Sequence, residues 1–182
     1  MKNVKRIFLV LVCSLAIIVI FRGWLYRHCV NYTILDYRQS YTPDKAFRDF
    51  VDSKKKDTKI NSVEDIIKLS LKITSDELSF TTSKCEYNPN SLIHSQKTNC
   101  IGYSAFFNST CNYLLTEYEY DWNSLSLVGQ QQLFGANINK HLHSAFFKDH
   151  DFNVIENKKT GEKYFVDPTV NDYLWIDFVS SK

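Results

Sequence analysis

"HDFNVIENKKTGEKYFVDPT", residues 150–169, is the stretch on which the fold turns. Its two ends, "HDFNVIE" and "KYFVDPT", alternate apolar with polar residues, and "NKKTG" separates them. Alternation with period two marks a half-buried strand, and a short glycine-bearing break between two such runs marks a β-hairpin. A register with Phe152 opposite Phe165 sets Val154 opposite Lys163 and leaves residues 157–160 as a four-residue loop, an allowed length. The same register sets His150 opposite Asp167, both side chains on one face. A slip of one residue would part them.

Upstream, "KTNCIGYSAFF" (97–107) supplies a nucleophile for such a pair. Asn99 is a good N-cap, and Tyr103, Phe107, Cys111, Leu114 and Tyr118 are spaced as one stripe of a helix. The spacing predicts a helix of about 18 residues opened by Cys100, with Gly102 in its first turn. A helix N-terminus and a neighbouring imidazolium both favour a thiolate, and a carboxylate fixes the tautomer of the histidine. Cys100, His150 and Asp167 are therefore read as nucleophile, general base and acid, and orienter. Read alone, Cys100 is a buried thiol or half of a disulfide, His150 an ordinary strand histidine and Asp167 an Asp-Pro turn residue. The predicted register is what joins them.

These residues carry a family resemblance. "NCIGYSAFF", the histidine-led strand and "VDPT" resemble the transglutaminase-like superfamily within the papain-like cysteine-hydrolase fold, over about residues 62 to 178. The resemblance implies an α+β core in which the helix bearing the Cys packs on an antiparallel sheet. It also implies acyl transfer at amide bonds through a thioester: hydrolysis by protease or amidase action, or transglutamination, with a protein or peptide substrate. No cofactor and no metal is implied. The oxyanion is held in that fold by a side chain upstream of the cysteine together with backbone N–H groups, which makes Gln96 and His94 candidates beside their reading as exposed loop residues. The chain departs from the family in having Phe152 where many relatives carry Trp. The alternative function is a non-enzymatic cell-surface binding module on the same fold. A zinc hydrolase using His141, His143 and His150 is a third reading, drawn from the H-x-H spacing.

The N-terminus bears on location. "IFLVLVCSLAIIVIF" (7–21) is uncharged, with basic residues on both sides. Extension through "RGWLY" reaches the roughly 20 residues of a membrane span. No small-x-small site follows and Val12 precedes Cys13, so an uncleaved signal anchor is favoured over a cleaved peptide or lipoprotein. The expected plan is residues 1–27 as anchor or signal peptide, 28–60 as juxtamembrane connection with a helix at 43–54, and 61–182 as the transglutaminase-like domain, outside the cytoplasm or exported. Setting the five flanking basic residues aside turns a net charge of +2 into about −3, which offers nothing to nucleic acid. Composition is otherwise that of a globular domain. Outside the cytoplasm disulfides among Cys29, Cys85, Cys100 and Cys111 are possible, with no pairing preferred. "NSVEDIIKLSLKIT" reads as a helix at 63–74 opened by Ser62 and Asp65, the residues around "NPN" as loop, and a strand is expected near 125–128.

Overall fold

The computed structural model of the chain describes residues 2–55, 58–141 and 148–181. Its helices are α1 (Lys2–Ile20), α2 (Arg22–Cys29), α3 (Lys45–Lys54), α4 (Val63–Glu77), α5 (Pro89–Ser95), α6 (Cys100–Glu117) and α7 (Pro168–Leu174). Its strands are β1 (Val30–Tyr37), β2 (Ser79–Phe80), β3 (Lys97–Thr98), β4 (Trp122–Leu133), β5 (Ala136–Asn137), β6 (His150–Asn157) and β7 (Lys163–Val166). The fold is α+β, with a sheet in the order β1-β4-β6-β7, antiparallel throughout, and β5 paired to β4.

Capping chemistry starts the helices where the sequence places them. Ser62 and Asp65 form a reciprocal capping box on α4, and Asn99 accepts from the Ile101 N–H to open α6 at Cys100. Helix α3 is capped by Asp44 and starts at Lys45, two residues after the expected position 43. The "NPN" segment is not loop alone: Asn88 caps α5, and Pro89 is pre-set for its first turn. The strand expected near 125–128 extends from Trp122 to Leu133.

The hairpin forms with its register moved by two residues. Val154 pairs with Phe165 and Glu156 with Lys163. The turn chemistry decides this. Asn157 Oδ1 accepts the N–H groups of Lys159 and Thr160, and Gly161 adopts the left-handed conformation with φ 71°, so the four-residue loop is 158–161. A shift of two keeps every side chain on its own face. His150 and Asp167 therefore share a face still, diagonally rather than directly opposite. Asp167 itself leaves the strand to cap α7.

The segment expected to be a juxtamembrane connection is part of the sheet. β1 pairs along β4 from Val30 opposite Leu133 to Tyr37 opposite Leu127. The chain end then joins the two outer strands. Val179 N–H donates to Phe165 O on β7 (2.9 Å), and Tyr32 N–H on β1 donates to Ser180 O (2.9 Å). The sheet thus curls around an inner cluster of Tyr32, Leu127, Phe152, Val154 and Val179. Its outer face carries the main core, where α4 and α6 pack with Ile155 and Val166. A polar seam binds α6 to that face: Ser104 Oγ donates to Phe152 O, Ser126 Oγ to Ser104 O, and Asn153 Nδ2 to Ser104 O.

At the N-terminus the apolar run does not continue straight. The axis bends by 73° between α1 and α2, at Phe21. Among the described residues no single helix is long and apolar enough to cross a membrane, whereas the bent pair meets that test by length and composition.

Gly102 lets α6 start where it does. A Cβ there would lie 1.9 Å from Thr98 Oγ1 and 2.7 Å from Thr98 Cβ. Thr98 is buried and its hydroxyl donates to Glu86 O, so it has no free rotation away. Gly102→Ala is expected to destabilise the protein by about 2–4 kcal/mol, an overpacking cost at a site that cannot relax. Chemical denaturation measures this, and a variant as stable as the parent contradicts the packing account.

Candidate active site

Cys100, His150 and Asp167 come from three separate elements and meet at one end of the curled sheet. Cys100 is the first residue of α6 and 8% exposed. His150 is the first residue of β6, its side chain 16% exposed, and the Asp167 side chain is fully buried. His150 Nε2 donates to Asp167 Oδ2 at 2.6 Å. The Cys100 thiol lies beside the same ring, close enough to help hold it protonated, and with Nε2 held by Asp167 the nitrogen left to face sulfur is Nδ1.

The Asp167 carboxylate has a donor at each lobe. Oδ1 accepts the N–H groups of Thr169 (3.0 Å) and Val170 (3.1 Å) at the start of α7. Oδ2 accepts His150 and the Tyr32 hydroxyl (2.7 Å). Burial works against a charge on Asp167, but His150, Tyr32 and the Val170 N–H together hold it below the usual carboxylate range. Burial also opposes an imidazolium. The charge and hydrogen bond of Asp167, joined by the thiol, outweigh it and hold His150 well above the ordinary histidine range. The two shifts agree on an ionised pair.

The environment separates Cys100 from the other thiols. All five cysteines are free. Cys111, on the same helix, is enclosed by the core beside Ser70 and Ser124, and burial pushes its thiol up to about 12. Asn108, which heads the N-x-S/T triplet "NST", is likewise interior: the residue is buried and its amide donates to Ser40 Oγ.

The two oxyanion candidates stand differently. Gln96 is the left-handed C-cap of α5, and its amide donates to Glu77 Oε1 at 2.8 Å. His94 is exposed on α5. At the start of α6, the Asn99 side chain takes the Ile101 N–H and its carbonyl takes the Tyr103 N–H. Of the zinc reading, His143 lies outside the described residues and His150 Nε2 is engaged by Asp167. Among the described residues no group of three His, Cys, Asp or Glu side chains is arranged to hold a metal.

Sequence reasoning missed the residues that surround the three. Tyr32 reaches Asp167 from 135 positions away, and nothing local marks it. Arg38 forks onto Asp151, the neighbour of His150, through Nε (2.9 Å) and Nη2 (3.1 Å). Asp151 is fully buried whereas the Arg38 side chain is 38% exposed. Here a signal existed: Asp151 shares strand parity with Ile155 on the core face, so its charge needed a cation. A pocket of about 240 Å³ lies beside this pair and the first turn of α6, lined by Arg38, Tyr41, Tyr87, Ile101 and Ala105 among others.

No family model and no curated protein matches the chain.

Burial raises the Asp151 carboxyl above its ordinary range even though Arg38 pulls the other way. Arg38→Met is expected to cost about 2–4 kcal/mol at neutral pH, the effect of leaving a buried charge without its partner. An acid whose folded pKa is raised penalises folding above that pKa and is relieved as it protonates. The deficit of the variant should therefore shrink as pH falls from 7.5 toward about 5. Denaturation curves across that range check the sign, and a deficit that grows on acidification contradicts it.

Proposed function

We propose that the chain is a cysteine-dependent acyl-transfer enzyme acting at amide bonds of a protein or peptide, with a transglutaminase-like, papain-related core. One observation carries the reading: the Cys100 thiol stands beside an imidazole whose Nε2 donates to a buried carboxylate. That is the arrangement nucleophilic catalysis by a thiol requires.

In the proposed reaction the resting pair is a Cys100 thiolate and a His150 imidazolium whose Nδ1 carries the thiol's proton, and the thiolate sulfur attacks the carbonyl carbon. The oxyanion is assigned to the start of α6, with the Cys100 N–H as its backbone donor. His150 then gives its proton to the departing amine as the C–N bond breaks, leaving a thioester on Cys100. Water, deprotonated by His150, cleaves the thioester to a carboxylic acid and regenerates the thiol. An amine in place of water yields a new amide. Asp167 stays ionised throughout and holds the ring. The pocket beside Ile101 and Ala105 would receive a substrate side chain, and Arg38 stands at its wall. The apolar, basic-flanked N-terminus supports attachment to a membrane with the domain outside the cytoplasm.

Iodoacetamide at pH 6 should alkylate Cys100 ahead of the other four cysteines, and Cys100→Ala should abolish that fast phase. Asp167→Asn removes the charge that raises His150, so less imidazolium remains at pH 6 and the rate should fall about tenfold or more. Mass-spectrometric rate measurement decides it. A Cys100 no more reactive than Cys29 or Cys85, or one found in a disulfide, refutes the nucleophile and leaves a binding module on the same fold.

A further inference from the structure

Asp167 Oδ2 takes a second donor besides His150, and that donor is the end of a chain of hydroxyls leading to the N-terminal segment. Tyr32 lies in the middle of β1, fully buried inside the curled sheet with its ring 4.8 Å from that of Phe152. A phenol has one proton to give and can accept two. Tyr32 gives its proton to Asp167 Oδ2 (2.7 Å). It accepts from Gln131 Nε2 (3.0 Å). Its contact with the Tyr26 hydroxyl (2.7 Å) must then run from Tyr26 to Tyr32, because Tyr32 has no second proton. Burial, reinforced by the charge of Asp167, pushes the Tyr32 phenol far up, so it remains a donor at every working pH.

Tyr26 belongs to α2, the short helix that follows the apolar run. Backbone and arginine contacts seat α2 on the domain. Arg22 Nε donates to Trp175 O (3.0 Å), Arg27 Nη1 to Phe178 O (3.5 Å), and Phe134 N–H to Cys29 O (2.8 Å). Arg22 and Arg27, which flank the apolar stretch in sequence, are thus hydrogen-bonded to the folded domain.

We propose that Tyr32 and Tyr26 are positioning residues of the Cys100–His150–Asp167 site, and that α2 thereby regulates it: the seating of the N-terminal segment on the domain sets how tightly His150 holds its proton. The inference rests on the acyl-transfer reading for its consequence and on the hydrogen bonds for its physics. Each donor on Oδ2 spreads the carboxylate charge. Loss of Tyr32 leaves that oxygen with His150 alone, in a buried site, and the imidazolium proton is held more firmly. Tyr26 acts at one remove, because a hydroxyl that accepts a hydrogen bond is a stronger donor. The other groups facing His150 are the Cys100 thiol and, across the strand, Asp151 paired with Arg38, with Asp149 beside them. None of these touches Tyr26.

The test uses the full chain in detergent micelles and reads two quantities: the His150 titration by ¹⁵N NMR of the imidazole, and the pH profile of Cys100 alkylation. Tyr32→Phe should shift the His150 titration upward by about half to one pH unit, the scale of one hydrogen bond. Tyr26→Phe should shift it the same way by a smaller amount. That variant removes one hydroxyl from a half-buried ring, so the fold is retained. Arg22→Ala with Arg27→Ala, which unseats α2, should reproduce the Tyr26→Phe shift, and adding Tyr26→Phe to it should change nothing further. The relay is overturned if Tyr26→Phe leaves the titration in place, or if the arginine and tyrosine effects simply add. A Cys100 that does not alkylate refutes the acyl-transfer reading, while the NMR titration still decides the relay.

Discussion

The Asp167 carboxylate is the point on which the site depends. It is fully buried, and a buried carboxylate is stable only when its oxygens are satisfied. Four donors from three elements do this: two backbone N–H groups of α7, the Tyr32 hydroxyl of β1 and the ring of His150 on β6. One anion therefore ties the first strand, the hairpin and the last helix together. The cost of burying it is offset by the same contacts that orient the histidine, so fold and chemistry share one set of hydrogen bonds.

The thiol is brought to this centre by packing of a different kind. Gly102 allows the first turn of α6 to lie against Thr98, and the seam of Ser104, Ser126 and Asn153 locks the helix to β4 and β6. These groups make no contact with the carboxylate, yet they decide where Cys100 stands relative to His150. Closure of the sheet by residues 179–181 completes the arrangement, because it encloses Tyr32 and makes its hydroxyl an interior donor.

Much of this was legible in local sequence. The capping of α4 and α6, the hairpin, and the candidate trio of Cys100, His150 and Asp167 all follow from short-range signals of period, cap and turn. The hairpin register was misplaced by two because side-chain alternation constrains parity only. The position along the strand was settled by Asn157 and Gly161 in the turn. Parity was enough to keep His150 and Asp167 on one face. Gln96 adds a contact that local pattern did not announce: its amide donates to Glu77 of α4.

By itself, then, the sequence determined which residues open helices, which strands pair as neighbours through a turn, and which face of the hairpin holds the histidine and the aspartate. These are consequences of backbone period and of caps within a few residues. Only the tertiary structure decided that residues 30–37 form an edge of the main sheet, that Arg38 neutralises Asp151, that Tyr32 reaches Asp167 and that Tyr26 reaches Tyr32. Those contacts join residues as many as 135 positions apart, and a buried charge selects such a partner by reach and geometry, which no local pattern records.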